Sequence, residues 1–190
     1  MPKPKPKDTQ VPTFWDKFFR ELDEQLPGQV SLECLGGFVI SALYGLPRPT
    51  SDVDFLSVAP RDQFEKVIRL AGQGSPFHKK YGLYLQHVGV VNVPEDYASR
   101  LQEMFPKHFK KLRLFALDPY DLALSKLERN AAVDRDDVRH LAKAVPLDPA
   151  ILQQRYEEEM RANLANVDRE DLTLKLWLDA FFERADKAGS

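Results

Sequence analysis

Two aspartates, separated by one residue at the start of an apolar run, limit what this chain can fold into. Asp52 and Asp54 alternate with Val53 and Phe55 within residues 52–58. Because side chains at positions i and i+2 of a β-strand point to the same face, the alternation predicts a strand with both carboxylates on one side. Two carboxylates so close repel each other, and a divalent cation between them relieves that repulsion. The pair therefore indicates a cation site on a sheet.

A glycine pair, Gly36-Gly37, lies upstream of the acidic strand and directly after residues 30–35, which predict another strand. Because glycine has no side chain, phosphate oxygens can approach the backbone closely at such a pair. Residues 38–46 predict a helix that two prolines stop. Together these parts indicate Mg²⁺-dependent chemistry on a nucleotide. The alternative is a helix that starts at the glycines and two exposed aspartates at the end of a strand.

The composition excludes several classes of protein. A net charge of −2 over 190 residues provides no global field for non-specific nucleic-acid binding. The single cysteine, Cys34, excludes an internal disulfide, and the four histidines have no zinc-ligand spacing. No apolar run approaches the roughly 20 residues of a membrane span, and residues 1–7 lack the apolar part of a secretory signal. We therefore expect a cytoplasmic protein without membrane contact.

The order of the predicted elements indicates an α+β fold, with a small mixed β-sheet flanked by helices and a C-terminal helical segment. Apolar spacing predicts helices over residues 14–26, 60–72 and 95–104, and strands over residues 83–86, 88–93 and 112–116. We expect a disordered tail over residues 1–10, an α/β core over residues 11–117, and a helical part over residues 118–188 packed on that core.

Here the chain resembles a known group of proteins. An apolar residue, Gly-Gly, a spacer and an acid-apolar-acid strand resemble the pattern of the nucleotidyltransferase superfamily. The form Arg-x-Thr-x-Asp-x-Asp, which begins at Arg48, is similar to AbiEii-like nucleotidyltransferases of abortive-infection and toxin–antitoxin systems. Residues 117–138 resemble that group's later helical motifs, a lysine on one helix and Asp-x-x-Asp at the start of the next. The resemblance covers about residues 30–142 and implies a nucleotidyltransferase-like fold.

The resemblance implies transfer of a nucleoside monophosphate from an NTP to an acceptor hydroxyl on tRNA or on a protein. It also implies a toxin-like role with an antitoxin as partner. Gly36 and Gly37 would bind the phosphates of the nucleotide. Further nucleotide contacts would come from Arg48, Thr50 and Ser51, with the Ser41 hydroxyl as an alternative to that of Thr50.

The same resemblance implies the catalytic residues. Asp52 and Asp54 would hold Mg²⁺ or Mn²⁺. Lys126 would contact a phosphate as a point charge. Asp137, or in second place Asp134, would orient Lys126 or act near the attacking hydroxyl.

Each residue of the later motifs also has a purely structural interpretation. Lys126 and Arg129 could be surface charges that pair with neighbouring acids, and such pairs contribute little to stability. Asp134 could accept hydrogen bonds from the first amides of a helix.

One position departs from the pattern of active nucleotidyltransferases, many of which carry a third carboxylate on an adjacent strand as a base. We expect that strand at residues 88–93, where Asn92 occupies the corresponding position. An asparagine can ligate a cation through its carbonyl oxygen but cannot accept a proton at neutral pH. The alternative function is therefore a catalytically weakened protein of this fold that binds a nucleotide or a macromolecular partner.

Overall fold

The structure, a computed structural model, describes residues 10–48 and 50–182. The predicted disordered tail lies outside the described residues except for its last residue, as do residues 183–188 of the predicted helical part. The described chain divides into two compact units, one made of the residues up to Gly89 with Leu101–Leu117, the other of Val90–Arg100 with the residues from Asp118 onward.

Within the described residues, the first unit contains a five-stranded mixed sheet, four α-helices and a short 3₁₀ helix at Arg61–Gln63. In chain order its elements are α1 (Thr13–Gln25), β1 (Val30–Cys34), α2 (Gly36–Tyr44), β2 (Asp52–Ala59), α3 (Phe64–Ala71), α4 (Pro76–Tyr81), β3 (Tyr84–His87), β4 (Gln102–Met104) and β5 (Leu112–Ala116). The strands lie in the order β3-β2-β1-β5-β4. β2 is antiparallel to β1 and parallel to β3, whereas β5 is parallel to β1 and antiparallel to β4.

Alternation along the strands places the apolar side chains of this unit in one core. Every second residue of β1 is buried, and so are most of the apolar residues of the two neighbouring strands. The buried set is Val30, Leu32 and Cys34 of β1, Val53, Phe55 and Val58 of β2, and Leu112, Leu114 and Ala116 of β5. The apolar face of α1 is buried too, and the Trp15 ring lies 5.1 Å from that of Phe38 in an edge-to-face arrangement. The helix predicted over residues 14–26 is therefore confirmed, and it contributes to the same core as α2.

The second unit is helical in the part that the structure describes. Its elements are a short 3₁₀ helix at Tyr97–Arg100, α5 (Pro119–Leu124), α6 (Ala132–Ala144), α7 (Pro149–Arg155) with a π-helical and a 3₁₀ continuation (Tyr156–Met160 and Arg161–Asn163), and α8 (Val167–Phe181). Asp118 and Asp148 cap α5 and α7 through their side chains, and a proline follows each of them at the first position of the helix. A mixed sheet flanked by helices, followed by a helical C-terminal part, confirms the predicted α+β class.

Two predicted elements are wrong. No strand occupies residues 88–93, because the chain leaves the sheet after β3 at Gly89 and the Val90 side chain is almost fully exposed. Residues 95–104 do not form one helix, because residues Gln102–Met104 pair with β5 as strand β4. At residues 102–104 the pairing with a distant strand outweighs the local pattern. None of the described helices is long and apolar enough to cross a membrane.

Candidate functional site

The acid pair lies at the start of β2, on the face that the alternation predicts. Val53 and Phe55 are fully buried, whereas Asp52 and Asp54 are half-buried on the opposite face. Burial raises the pKa of the neighbouring Cys34 thiol, and the Asp54 charge adds to that increase. Cys34 is therefore a buried thiol without nucleophilic character.

Gly36 brings the start of α2 against the second aspartate. Its φ is +75°, and a Cβ added there would lie 2.4 Å from Oδ2 of Asp54. Only glycine allows this approach, because any other residue would clash with the carboxylate and adopt an unfavourable backbone conformation. At Gly37 an added Cβ would make only ordinary contact with Thr50, 3.6 Å from its Cγ2. The first turn of α2, whose N–H groups have no partner within the helix, thus begins beside Asp54.

The segment before β2 holds the first aspartate. The Thr50 hydroxyl donates a hydrogen bond to Oδ1 of Asp52, and the Thr50 carbonyl accepts one from the Trp15 indole at 3.3 Å. Arg48 and Ser51 are exposed next to this segment. The Ser41 hydroxyl donates a hydrogen bond to the carbonyl of Leu46 at 2.9 Å and so binds the backbone just after the end of α2.

Strand β3 adds two residues to the site that sequence reasoning missed. Tyr84 lies opposite Asp52 and Gln86 lies opposite Asp54 in the parallel pairing of β3 with β2. Neighbours in register point to the same face, so both side chains flank the acid pair, while Leu85 is buried on the other face. Burial and the charges of Asp52 and Asp54 raise the pKa of Tyr84.

The prediction that Asn92 lies next to the acid pair is wrong, because it depended on a strand over residues 88–93 that does not form. Asn92 belongs to the second unit, where its amide donates a hydrogen bond to the Glu128 carboxylate at 2.7 Å. The strand predicted over residues 83–86 is confirmed as β3, and this strand, not residues 88–93, lies beside the acid pair.

The lysine of the later motif is buried within the second unit. Its ammonium lies 2.8 Å from Oδ2 of Asp137 and 3.5 Å from Oδ1 of Asp134, and only 6% of Lys126 is exposed. The structure thus brings Lys126 and Asp137 together. It also excludes the interpretation of Lys126 as a surface charge.

Asp134 has the structural contacts of a residue in the first turn of α6. It accepts the Ala131 N–H at 3.0 Å, and the largely exposed Arg129 guanidinium pairs with it. Burial acts to raise the pKa of Asp134, but Arg129, Lys126 and the Ala131 amide together lower it below its ordinary value. The N-cap of α6 is Ala131, so the interpretation of Asp134 as the cap itself is wrong. Its carboxylate lies one turn later and accepts the N–H of that N-cap residue.

The donor set on β2 fits a hard divalent cation such as Mg²⁺. Asp52 and Asp54 supply charged oxygen ligands from one face, and Mg²⁺ in proteins is commonly held by one or two carboxylates together with substrate phosphates and water. Nowhere in residues 10–48 and 50–182 do three or more His, Cys, Asp or Glu side chains cluster as a metal site. A cation here would therefore take most of its ligands from outside the protein.

The structure is thus that of an α+β protein with paired aspartates on one strand of a mixed sheet, approached by a glycine at the start of a helix. Residues 16–184 match the model of a family described as "Nucleotidyltransferase of unknown function (DUF6036)", and the chain belongs to that family. Searches of the curated proteins and of the solved structures returned no match.

Proposed function

We propose that this protein is a Mg²⁺-dependent nucleotidyltransferase that moves a nucleoside monophosphate from an NTP to an acceptor hydroxyl. One observation carries the proposal: the backbone of Gly36 lies against the Asp54 carboxylate, with Asp52 on the same face of β2. Phosphate groups at the start of α2 would then be adjacent to the two carboxylates that hold their cation. Family membership supports the same class of reaction.

In the proposed reaction the residues of the first unit bind and orient the triphosphate. The N–H groups at the start of α2 donate to phosphate oxygens, and the positive end of the helix dipole favours their charge. Mg²⁺, when bound, offsets the negative charge that develops during an in-line displacement. The acceptor oxygen forms a bond to the α-phosphorus, the bond to the leaving pyrophosphate breaks, and the hydroxyl proton passes to water.

Lys126 and Asp137 would act together in the proposed reaction. The Asp137 carboxylate takes one of the three N–H donors of the Lys126 ammonium, and Asp134 lies further away, at 3.5 Å. A remaining donor would contact a phosphate of the substrate. Arg48, Thr50 and Ser51 are proposed as further contacts to the nucleotide.

The acceptor and the biological role are proposed from the sequence resemblance. The Arg-x-Thr-x-Asp-x-Asp form and the later helical motifs are similar to AbiEii-like nucleotidyltransferases. We infer an acceptor on tRNA or on a protein, action in the cytoplasm, and a toxin-like role that an antitoxin partner would oppose.

Label transfer tests the proposal. The purified chain is incubated with each α-³²P-labelled NTP, Mg²⁺ or Mn²⁺ and a cell extract, beside the double variant Asp52→Asn/Asp54→Asn. We expect label on a macromolecule with the wild type and none with the double variant. The control is Asp62→Asn, which removes an exposed carboxylate shortly after β2. Equal transfer by the wild type and the double variant would contradict the proposal.

A second candidate, a protein that binds the nucleotide without transferring it, is favoured by the neutral residues of β3. Tyr84 and Gln86 stand beside the acid pair where a carboxylate base would be in reach of the substrate. This candidate predicts no label transfer, together with an NTP-dependent increase in melting temperature that the double variant loses. The same preparations therefore distinguish the two functions.

A further inference from the structure

We propose that Gln86 restricts the site on β2 to a single divalent cation. This inference rests on the proposed function, because it concerns the cation that accompanies the nucleotide. Two cations about 3.5–4 Å apart clamp the attacking and leaving oxygens in many phosphoryl-transfer sites. The number of carboxylates that face the cations sets how much of their charge the protein itself offsets, in addition to what the substrate phosphates supply.

The register of the sheet identifies the side chains that face the cation position. Along one row, Gln86 of β3 lies next to Asp54, and Gly36 lies on the other side of Asp54. In the adjacent row Tyr84 lies next to Asp52. The two aspartates are thus the charged members of this set, and their neighbours on β3 are neutral.

The carboxylate of β1 belongs to a different part of the face. Glu33 lies opposite Ser57 and Phe115, beyond a β-bulge that interrupts the register with β2 between Glu33 and Cys34. Among the described residues, no third acidic side chain clusters with the pair as a metal site. Gln86 therefore stands at the register position where a carboxylate would complete a second cation site.

The charges of the ligands then limit the occupancy. The repulsion between two divalent cations is four times that between two unit charges at the same distance. Two carboxylates neutralise one divalent cation, so a second one would lack a charged ligand from the sheet. The Gln86 amide offers a carbonyl oxygen as a neutral ligand, which does not offset that repulsion. A glutamate at the same position would supply the missing charge.

Counting bound ions tests the inference without a measurement of activity. Mn²⁺ is titrated into the chain in the presence of α,β-methylene analogues of the four NTPs in turn, and the protein-bound ions are counted by electron paramagnetic resonance. We expect one Mn²⁺ per chain for the wild type and two for Gln86→Glu. The matched control is Gln29→Glu, an equally exposed position before β1, at the opposite end of that strand from Gly36, which should stay at one.

Gln86 is exposed, so its replacement should leave the fold intact, and circular dichroism with thermal melting checks this. Gln86→Asp provides a second variant if the glutamate disturbs the sheet. Two ions in the wild type would overturn the inference and leave the proposed function standing. One ion in both the wild type and the Gln86 variants would also overturn it. No bound ion in the wild type, with any of the analogues, would overturn the inference and the proposed function together.

Discussion

At the scale of single residues, the candidate site depends on a glycine that no other residue can replace. Gly36 has a φ of +75°, and an added Cβ would clash with Oδ2 of Asp54 at 2.4 Å. We expect Gly36→Ala to lower the free energy of unfolding by about 1–3 kcal/mol, because the left-handed conformation and the clash both oppose a side chain. Urea unfolding measures this change. The NTP-dependent increase in melting temperature should be lost as well.

Gly37→Ala is the matched control for that substitution. Its added Cβ would make ordinary contact with Thr50 at 3.6 Å, and its φ lies outside the left-handed region. Alanine also favours a helix over glycine by up to about 1 kcal/mol. Gly37→Ala should therefore unfold at the wild-type urea concentration or above. If both variants were equally stable, the close approach of Gly36 to Asp54 would be wrong.

The burial of Lys126 could not be predicted from its sequence context. The spacing of Lys126 and Asp137 is the same for a surface pair and for a buried one. In the structure Lys126 and both of its acids are buried, whereas Arg129 of the same motif keeps its guanidinium largely exposed. A buried ammonium requires charged partners, since an unpaired one would carry a large desolvation cost. Asp137 therefore has a structural reason to be present, whatever else Lys126 does.

At the scale of elements, one carboxylate joins helix α1 to the start of strand β5. Asp23 accepts hydrogen bonds from the backbone N–H groups of Lys110, Lys111 and Leu112 at 3.1, 2.6 and 2.7 Å. Hydrogen bonds to charged groups contribute about 1.5–3 kcal/mol. We expect Asp23→Asn to lower the free energy of unfolding at pH 7 by about 2 kcal/mol, measured with urea. Glu24→Gln, an exposed neighbour, should change it little.

The effect of Asp23→Asn should depend on pH in a defined direction. Burial acts to raise the pKa of Asp23, but the three backbone N–H groups and Lys111 together lower it below its ordinary value. A carboxylate whose pKa is lowered in the folded state stabilises that state fully at pH values above its unfolded pKa of about 3.9. This stabilisation is lost as the pH falls through the lower pKa of the folded state. The difference between wild type and variant should therefore be constant above about pH 5 and shrink below about pH 4. A difference that grows on acidification would contradict this assignment.

Strands with a strong local signal were predictable from the sequence, and those defined by distant partners were not. β1, β2 and β5 alternate buried and polar residues or form short apolar runs, so their own residues identify them. β4 is recognisable only through its pairing with β5, and its three residues were predicted as part of a helix. The same limit explains Gln86, because only the register of β3 with β2 shows that it neighbours Asp54.

At the scale of the whole molecule, the chain passes between its two units more than once. Residues Val90–Arg100 belong to the second unit, although the first unit continues afterwards with Leu101–Leu117. The helical pattern after residue 117 predicts a division there, but nothing in the apolar pattern indicates that residues 90–100 belong to the second unit. Among the contacts of this excursion with the helices is an ion-pair network, in which Arg100 pairs with the fully buried Asp121 at 2.9 Å and with Glu159 at 2.7 Å.

This arrangement predicts that Arg100 stabilises the packing of residues 90–100 on the helices of the second unit. In Arg100→Met the buried Asp121 would keep Arg155, at 2.9 Å, but lose two hydrogen bonds. Since breaking a buried pair leaves a charge poorly compensated, the free energy of unfolding should fall by about 3 kcal/mol. Hydrogen exchange followed by mass spectrometry should show faster exchange of the amides of Tyr97–Arg100 and of α5.

Two further variants separate anchoring from a general loss of positive charge. Lys175→Met removes an exposed cation from α8 and should leave the same amides protected. Arg100→Lys keeps the charge but loses the bidentate geometry, so its exchange should lie between those of the wild type and Arg100→Met. Unchanged protection of Tyr97–Arg100 in Arg100→Met would show that apolar contacts, and not this ion pair, hold the excursion in place. The same result would remove the electrostatic explanation of why the chain leaves the sheet after β3 and returns to it at β4.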